Sequence, residues 1–434
     1  MTAQLAADAG KAWFTHDRFG MFIHFGIYAL GARHEWVKNF EEISDAAYDR
    51  YFENFNPDLY EPRDWARMAR DAGMKYVVLT AKHHDGFCLW DSQFTDYKAT
   101  NTPYGRDLLR AYVEAFRAEG LRVGFYYSLL DWHHPDFAID FYHPQRNHPD
   151  ALALNAGRDA KRYAQYMRDQ VTELLTGFGQ IDVIWFDFSY PDKAHRGMPG
   201  KGRAAWESEA LIALVRKLQP SIIVSDRLDL ERTAENPPEL LTPEQLQPNV
   251  APTFLGQPVR WEACHTMSGS WGYHRDETSW KDAGQLINLL VDTVALGGNL
   301  LMNVGPTGRG NFDPRAQAAL TTYSKWLHLN ARAIYGAGAS AFTPPNGCRY
   351  TQRGNRLYLH VQSWPYRHIH AEGLGGRVKY AQFLHDASEI KMHEPVTGPA
   401  TSMDVHIAEG SLVLELPVIK PDVVVPVIEL MLAD

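Results

Sequence analysis

An aspartate closes a short apolar run. Residues 181–190 read Ile-Asp-Val-Ile-Trp-Phe-Asp-Phe-Ser-Tyr. Ile181, Val183, Ile184, Trp185 and Phe186 have the character of a fully buried strand in a parallel sheet, and Asp187 ends it. A buried strand gains nothing from a carboxylate at its C-terminal end. In βα architectures that end is where reactive groups stand. The competing account makes Asp187 a cap for the segment that follows.

The other apolar runs end in the same way. The run 19–26 reaches its polar end at His24, the run 76–83 ends at His83-His84-Asp85, and 122–129 ends near Tyr126-Tyr127 and leads into Asp131-Trp132-His133-His134. The run 221–226 ends at Asp226-Arg227, and 259–264 carries Glu262 and leads into His265. One such group is ordinary. Six strand ends with polar groups are hard to attribute to packing, because burying polar side chains without partners costs free energy.

Three chemistries could use these residues. Metal-assisted hydrolysis wants His and carboxylates at ligand spacing. The pair His83-His84 suits it poorly, since neighbours on a strand point to opposite faces unless the strand breaks there. A Ser-His-Asp hydrolase wants a Gly-x-Ser-x-Gly elbow, and the sequence has none. Glycoside hydrolysis wants two carboxylates plus His, Tyr, Trp and Arg to grip sugar hydroxyls, and it accounts for most of the set.

Elements able to position these groups recur over residues 15–335. Strands are expected at 19–26, 76–83, 122–129, 181–188, 221–226, 259–264 and 299–304, and helices at 62–73, 106–119, 158–177, 203–218, 280–296 and 314–334. Seven strands interleaved with helices imply a (β/α)8-like TIM barrel with one irregular or missing unit. An open doubly wound sheet is the alternative, without a Gly-rich phosphate loop to support it. Residues 228–258 read as one long proline-punctuated loop, expected to be functional. From about 338 period-2 patterns such as 356–361, 378–384 and 411–416 replace helical ones, implying a small antiparallel β-sandwich. The expected division is a catalytic barrel over 1–337 and a sandwich over 338–434.

Composition narrows the class. A chain of 434 residues with formal charge −9 does not advertise a nucleic-acid or anionic-membrane partner. No apolar run is long enough to span a bilayer. Met1 to Phe14 lacks the basic and apolar regions of a signal peptide, which points to the cytoplasm, although a secreted or periplasmic chain with its leader removed would look the same. Three widely spaced cysteines, Cys88, Cys264 and Cys348, fit no disulfide framework or zinc knuckle and read as free thiols. Twelve Trp and twenty-one Tyr suit a sugar site, or a core. No metal or cofactor is expected, and a homo-oligomer is compatible with the sequence.

The chain resembles the α-L-fucosidases of glycoside hydrolase family 29 over roughly residues 11–340. The resemblance rests on Trp13-Phe14 with Phe19 to Gly26, on Glu35-Trp36, on Ala81-Lys82-His83-His84-Asp85-Gly86-Phe87, on Gly124 to Ser128, on Trp185-Phe186-Asp187, and on Gly297-Gly298-Asn299 running to Asn303-Val304-Gly305-Pro306. Phe25 stands where many members have Trp. The resemblance implies a retaining exo-glycosidase that removes terminal α-L-fucose from glycans. It makes Asp187 the nucleophile and His24, Glu35, Trp36, His83, His84 and Tyr126 the hydroxyl-binding residues, with Trp185 near the sugar and Arg227 in the pocket. For the general acid/base, Glu244 is preferred to Glu262, with Glu235 third. A non-catalytic fucose-binding protein and a metal-dependent barrel hydrolase are the alternatives.

Overall fold

The computed structural model describes residues 10–395 and 407–433. Its centre is a curled parallel sheet of seven strands: β1 (Phe19–Ile23), β2 (Tyr76–Lys82), β3 (Arg122–Ser128), β4 (Val183–Asp187), β5 (Ile223–Val224), β8 (Glu262–Thr266) and β9 (Asn299–Val304). The order across it is β5-β4-β3-β2-β1-β9-β8. An exposed hairpin of two short strands, β6 (Thr253–Phe254) and β7 (Gln257–Pro258), lies apart from it.

Alternation divides the strand residues between two cores. Phe22, Tyr76, Val78, Tyr126, Val183, Trp185, Ile223, Cys264 and Leu301 pack together inside the curl. Their sequence neighbours, such as Met21, Val77, Phe125, Ile184 and Leu300, pack outward against the helices. Helices Pro62–Asp71, Leu108–Ala118, Ala160–Gly177, Ser208–Leu218, Ala283–Ala295 and Pro314–Asn330 cover that outer face. Local signals start them. Asp107, Asp159, Asp282 and Asp313 accept hydrogen bonds from first-turn amides, and proline stands at the first turn of two.

The irregular unit lies between β5 and β8. Residues 241–244 run extended and parallel to β8, and Gln245 turns left-handed (φ 50°). Leu241 N donates to Arg260 O (2.9 Å), Glu262 N to Leu241 O (2.9 Å), Cys264 N to Pro243 O (3.1 Å) and Gln245 N to Cys264 O (3.0 Å). Towards β5 the same segment is held by side chains: Thr242 Oγ1 donates to Asp226 Oδ1 (2.5 Å), and Arg227 Nη2 donates to Thr242 O (3.1 Å). This segment takes the eighth place in the wall. The stretch 228–258 is therefore not one loop but two excursions joined by a piece of barrel.

Other differences are local. The helix expected over 203–218 breaks at Glu207, whose backbone is left-handed (φ 48°), into Arg203–Trp206 and Ser208–Leu218. Strand β5 keeps two residues because only β4 pairs with it in the ladder. Strand β8 runs Glu262–Thr266 rather than 259–264.

Beyond residue 347 the chain forms a four-stranded antiparallel sheet, order β10-β11-β16-β13, and a three-stranded one, β12-β15-β14. The strands are β10 (Cys348–Arg353), β11 (Arg356–Val361), β12 (His368–Ala371), β13 (Val378–Phe383), β14 (Met392–His393), β15 (Leu412–Glu415) and β16 (Val427–Leu432). Leu357, Leu359, Ile369, Leu414, Ile428 and Leu430 close one apolar core between the two sheets, the section through a β-sandwich. Among the described residues no helix is long and apolar enough to cross a membrane. Cys88, Cys264 and Cys348 are buried free thiols.

Candidate active site

A cavity of about 310 Å³ opens at the C-terminal ends of the barrel strands, lined by Phe22, His24, Trp36, His83, His84, Tyr126, Trp185, Asp187, Phe188, Glu244, Cys264 and Trp271.

Asp187 is the last residue of β4. Its two oxygens have different donors: Tyr126 Oη donates to Oδ2 at 2.7 Å and Arg227 Nη1 to Oδ1 at 2.8 Å. Burial pushes the carboxyl above its ordinary range, and the Arg227 guanidinium opposes that push. Arg227 Nη1 also donates to Glu244 Oε2 at 2.6 Å. One nitrogen thus serves both carboxylates, and their oxygens stand no farther apart than the two bonds laid end to end, about 5.4 Å. Glu244 is 39% exposed at the mouth, whereas Asp187 is buried. The guanidinium stacks on Trp185, 4.5 Å from the ring centroid. Asp187 and Glu244 hold its proton above the ordinary arginine range despite burial.

Phe188 follows Asp187 with φ 79°, a left-handed backbone that a phenylalanine seldom adopts. Such a conformation costs on the order of 1–3 kcal/mol and persists where surroundings over-determine it. Here Leu129 N donates to Asp187 O (3.0 Å), and Ser189 Oγ donates to Arg227 O (2.7 Å) while accepting from Trp206 Nε1 (3.0 Å). The turn puts the Asp187 carboxylate and the Phe188 ring on the same cavity wall.

The histidines are neutral acceptors or donors, not cations. Burial pulls His24 down to about 3 and holds His83 and His84 well below the ordinary imidazole range. His24 Nδ1 lies 2.7 Å from Asn303 Oδ1, whose amide nitrogen donates to Trp271 O, so Nδ1 carries the proton and Nε2 keeps its lone pair. Ser128 Oγ spends its proton on Leu130 O, so it accepts from His84 Nδ1 at 2.7 Å and leaves His84 Nε2 as an acceptor. His83 Nδ1 is buried without a hydrogen-bond partner among the described residues. A buried polar atom of this kind calls for a ligand or water.

Both adjacent histidines face the cavity because strand β2 breaks there. Its register slips between Thr80 and Lys82, and the ladder stops at Lys82. Lys82 points away to Asp131 (3.0 Å) and Tyr127 Oη (3.1 Å). The turn closes at Gly86, φ 83°, where a Cβ would lie 2.1 Å from Asp131 Oδ1, so only glycine fits.

Three of the acids anticipated in the sequence as site residues do not line the cavity. Glu262 opens β8 and, by alternation, projects into the barrel interior one inward layer beneath Cys264. It is fully buried, accepting from Tyr76 Oη and from Trp185 Nε1 (3.3 Å), and burial raises its carboxyl to about 7. Glu35 is also fully buried; its Oε2 accepts from the amides of Trp271 (3.1 Å) and Gly272 (2.7 Å), and burial raises its carboxyl. It ties down the loop that carries Trp271. Glu235 lies exposed on the 228–240 excursion.

Four wall residues escaped the sequence reading as site residues: Phe22, Phe188, Cys264 and Trp271. Phe22 is two residues before His24 on the same strand face, and Cys264 two after Glu262, so alternation alone could have found both. Among the described residues no three His, Cys, Asp or Glu side chains converge at metal-binding spacing.

Comparison with known proteins gives one family. The α-L-fucosidase family profile matches residues 1–332. Tissue alpha-L-fucosidase of Bos taurus is 29% identical over 380 residues, covering 82% of this chain and 75% of its own. The solved structure of alpha-L-fucosidase isoenzyme 1 from Paenibacillus thiaminolyticus is 43% identical, with a TM-score of 0.90 and all of both chains covered. A family 29 α-L-fucosidase from Bacteroides thetaiotaomicron, trapped as a covalent intermediate with 2-fluoro-fucosyl fluoride, is 26% identical with a TM-score of 0.82, over 98% of this chain and 97% of its own.

Proposed function

Because the chain belongs to the α-L-fucosidases, a family of glycoside hydrolases, we propose that it is a retaining exo-enzyme that releases terminal α-L-fucose through a covalent fucosyl-aspartate. The observation that carries this reading is the pair of carboxylates on Arg227 Nη1, within about 5.4 Å of each other. Retaining chemistry wants about 5–5.5 Å between its two carboxyl groups, whereas inversion needs room for a water between them.

In this reading Asp187 attacks the anomeric carbon. Arg227 and Tyr126 hold its carboxylate in place and favour its ionised form. Glu244, the more exposed acid, gives its proton to the leaving oxygen and then takes one from the water that frees the sugar. The acceptor nitrogens of His24 and His84, the vacant Nδ1 of His83 and the indole of Trp36 grip hydroxyls. Phe22, Phe188 and Trp271 supply apolar surface for the C6 methyl. Glu35 acts through the loop bearing Trp271. Glu262 is assigned no proton transfer, since both of its oxygens are occupied beneath the cavity floor.

Residues 1–337 are the catalytic unit of this proposal, and 338–434 a sandwich packed beside it. A cytoplasmic setting fits the three free thiols, although relatives include proteins named tissue and plasma alpha-L-fucosidase. The fucose-binding and metal-hydrolase alternatives give way to the family's activity. The test is the first-formed anomer seen by NMR during hydrolysis, together with mass mapping of protein inactivated by a 2-fluoro-fucosyl fluoride. α-Fucose and a label on Asp187 are expected. β-Fucose, or a label elsewhere, defeats the proposal.

A further inference from the structure

The fucosidase reading fills the cavity with one sugar and leaves the other half of the glycan unplaced. Of the aromatic walls, Trp36, Phe188 and Trp271 are partly exposed, and Trp36 and Phe188 meet at one side of the mouth, ring centroids 5.3 Å apart. An aromatic belt continues outward from them. Phe40 stacks on Trp36, centroids 5.9 Å apart and planes at 26°. Tyr142 meets both mouth residues edge-on, Trp36 at 5.8 Å and Phe188 at 5.0 Å. Phe141 meets Tyr142 at 4.9 Å.

Exposure singles these rings out. Phe40 is 64% exposed and Phe141 37%; of the twenty phenylalanines only Phe94 is otherwise left so open. An exposed ring beside a binding cavity is a feature to be explained, where scattered ones are not. The belt is also built to hold its shape. The segment after β1 and the segment after β3 are tied together, Asn39 Nδ2 donating to Tyr142 O at 2.6 Å and Arg146 Nη1 to Asn39 O at 3.2 Å. Tyr142 N in turn donates to Asp140 Oδ1 at 2.9 Å.

We propose that Phe40, Phe141 and Tyr142 form a leaving-group subsite that takes the pyranose ring to which fucose is linked. The proposal rests on the fucosidase reading and extends it to the other side of the scissile bond. A pyranose presents a face of C–H bonds, weakly positive, to the electron-rich face of an aromatic ring, while its hydroxyls stay in water. Such a platform selects for a neutral ring without fixing each hydroxyl.

The test compares two substrates that deliver the same fucose. One is the preferred member of a panel of fucosyl disaccharides linked 1-2, 1-3, 1-4 or 1-6. The other is α-L-fucosyl fluoride, whose leaving group has no ring to stack. Phe40→Ala, Phe141→Ala and the double variant should lower kcat/KM on the disaccharide about three- to tenfold per ring, with fluoride hydrolysis within twofold of the unaltered protein. Phe40→Leu and Phe141→Leu, which keep apolar bulk, should show the same split, and melting temperatures should hold. Unchanged disaccharide rates overturn the subsite. So does a parallel fall on both substrates, which would mean the rings only brace the cavity. If the unaltered protein hydrolyses neither compound, the fucosidase reading itself fails and takes the subsite with it.

Discussion

Asp187 and Glu244 bind the same nitrogen. Arg227 Nη1 reaches an oxygen of each, at 2.8 Å and 2.6 Å, although the two acids come from differently built parts of the barrel wall. Asp187 ends a strand with ladder partners, and Glu244 rides on an extended segment bonded to β8. The arginine sets their distance, and it also opposes the rise that burial imposes on the Asp187 carboxyl.

Asp187→Ala should keep the fold and lose several decades of kcat, since it removes the group proposed to form the covalent bond. Azide should restore turnover of an activated fucoside and give the β-azide, by direct displacement from the opposite face. Activity within tenfold of the unaltered protein would remove Asp187 from its role.

The two glutamates separate in the same assay. Glu244→Ala should cost roughly 10²–10⁴ on poor leaving groups, retain more activity on activated ones, and yield α-fucosyl azide when azide intercepts the intermediate. Glu262→Ala should give no azide product. An α-azide from Glu262→Ala would exchange the assignments.

Arg227→Met should displace the acid limb of kcat/KM upward, by about one pH unit or more. The sign follows from the charge. Burial raises the Asp187 carboxyl and Arg227 lowers it; without the cation the carboxyl protonates at higher pH, and the attacking form is lost sooner as pH falls. Arg227→Lys should shift the limb less. A pH–rate profile in which the limb stays put or moves down would contradict the electrostatic role.

Glu262 should leave its mark on stability. Its carboxyl is raised from 4.5 to about 7 by burial. Between those values the unfolded chain releases a proton that the folded one retains, so this group's contribution falls as pH rises from about 4.5 to 7, by about 3 kcal/mol in total. Glu262→Gln mimics the protonated acid, accepting from Trp185 and donating to Tyr76 Oη. It should flatten that decline, seen as a melting temperature that gains on the unaltered protein as pH is raised from 4.5 to 7. A parallel pair of curves would show that the group ionises freely.

Much of the fold was legible because the strands obey one rule. Apolar runs such as 76–82 and 299–304 are buried on both faces, and such runs read as interior strands whatever surrounds them. The residues that follow them, His24, His83, His84 and Asp187, needed only the direction of the chain to be gathered at one end. Glu262 misled because the expected strand ended at 264 and brought it near the tip, whereas β8 begins at Glu262 and puts it beneath the cavity floor. The segment 241–244 was illegible for the opposite reason. Leu-Thr-Pro-Glu has no strand signature, and it is extended because the backbone of β8 offers it bonds. Phe188 could not be anticipated either, as nothing in its type announces a left-handed backbone.

The eighth place in the wall has a further consequence. The stave bearing Glu244 is nailed by its main chain to β8 alone, and on its other side it is latched to Asp226 and Arg227 through side chains. Lengthening or shortening the spans on either side of it would re-aim the Glu244 carboxyl and, through Arg227, disturb one of the two donors on Asp187. In a scaffold made this way a change in one span is felt at both carboxylates.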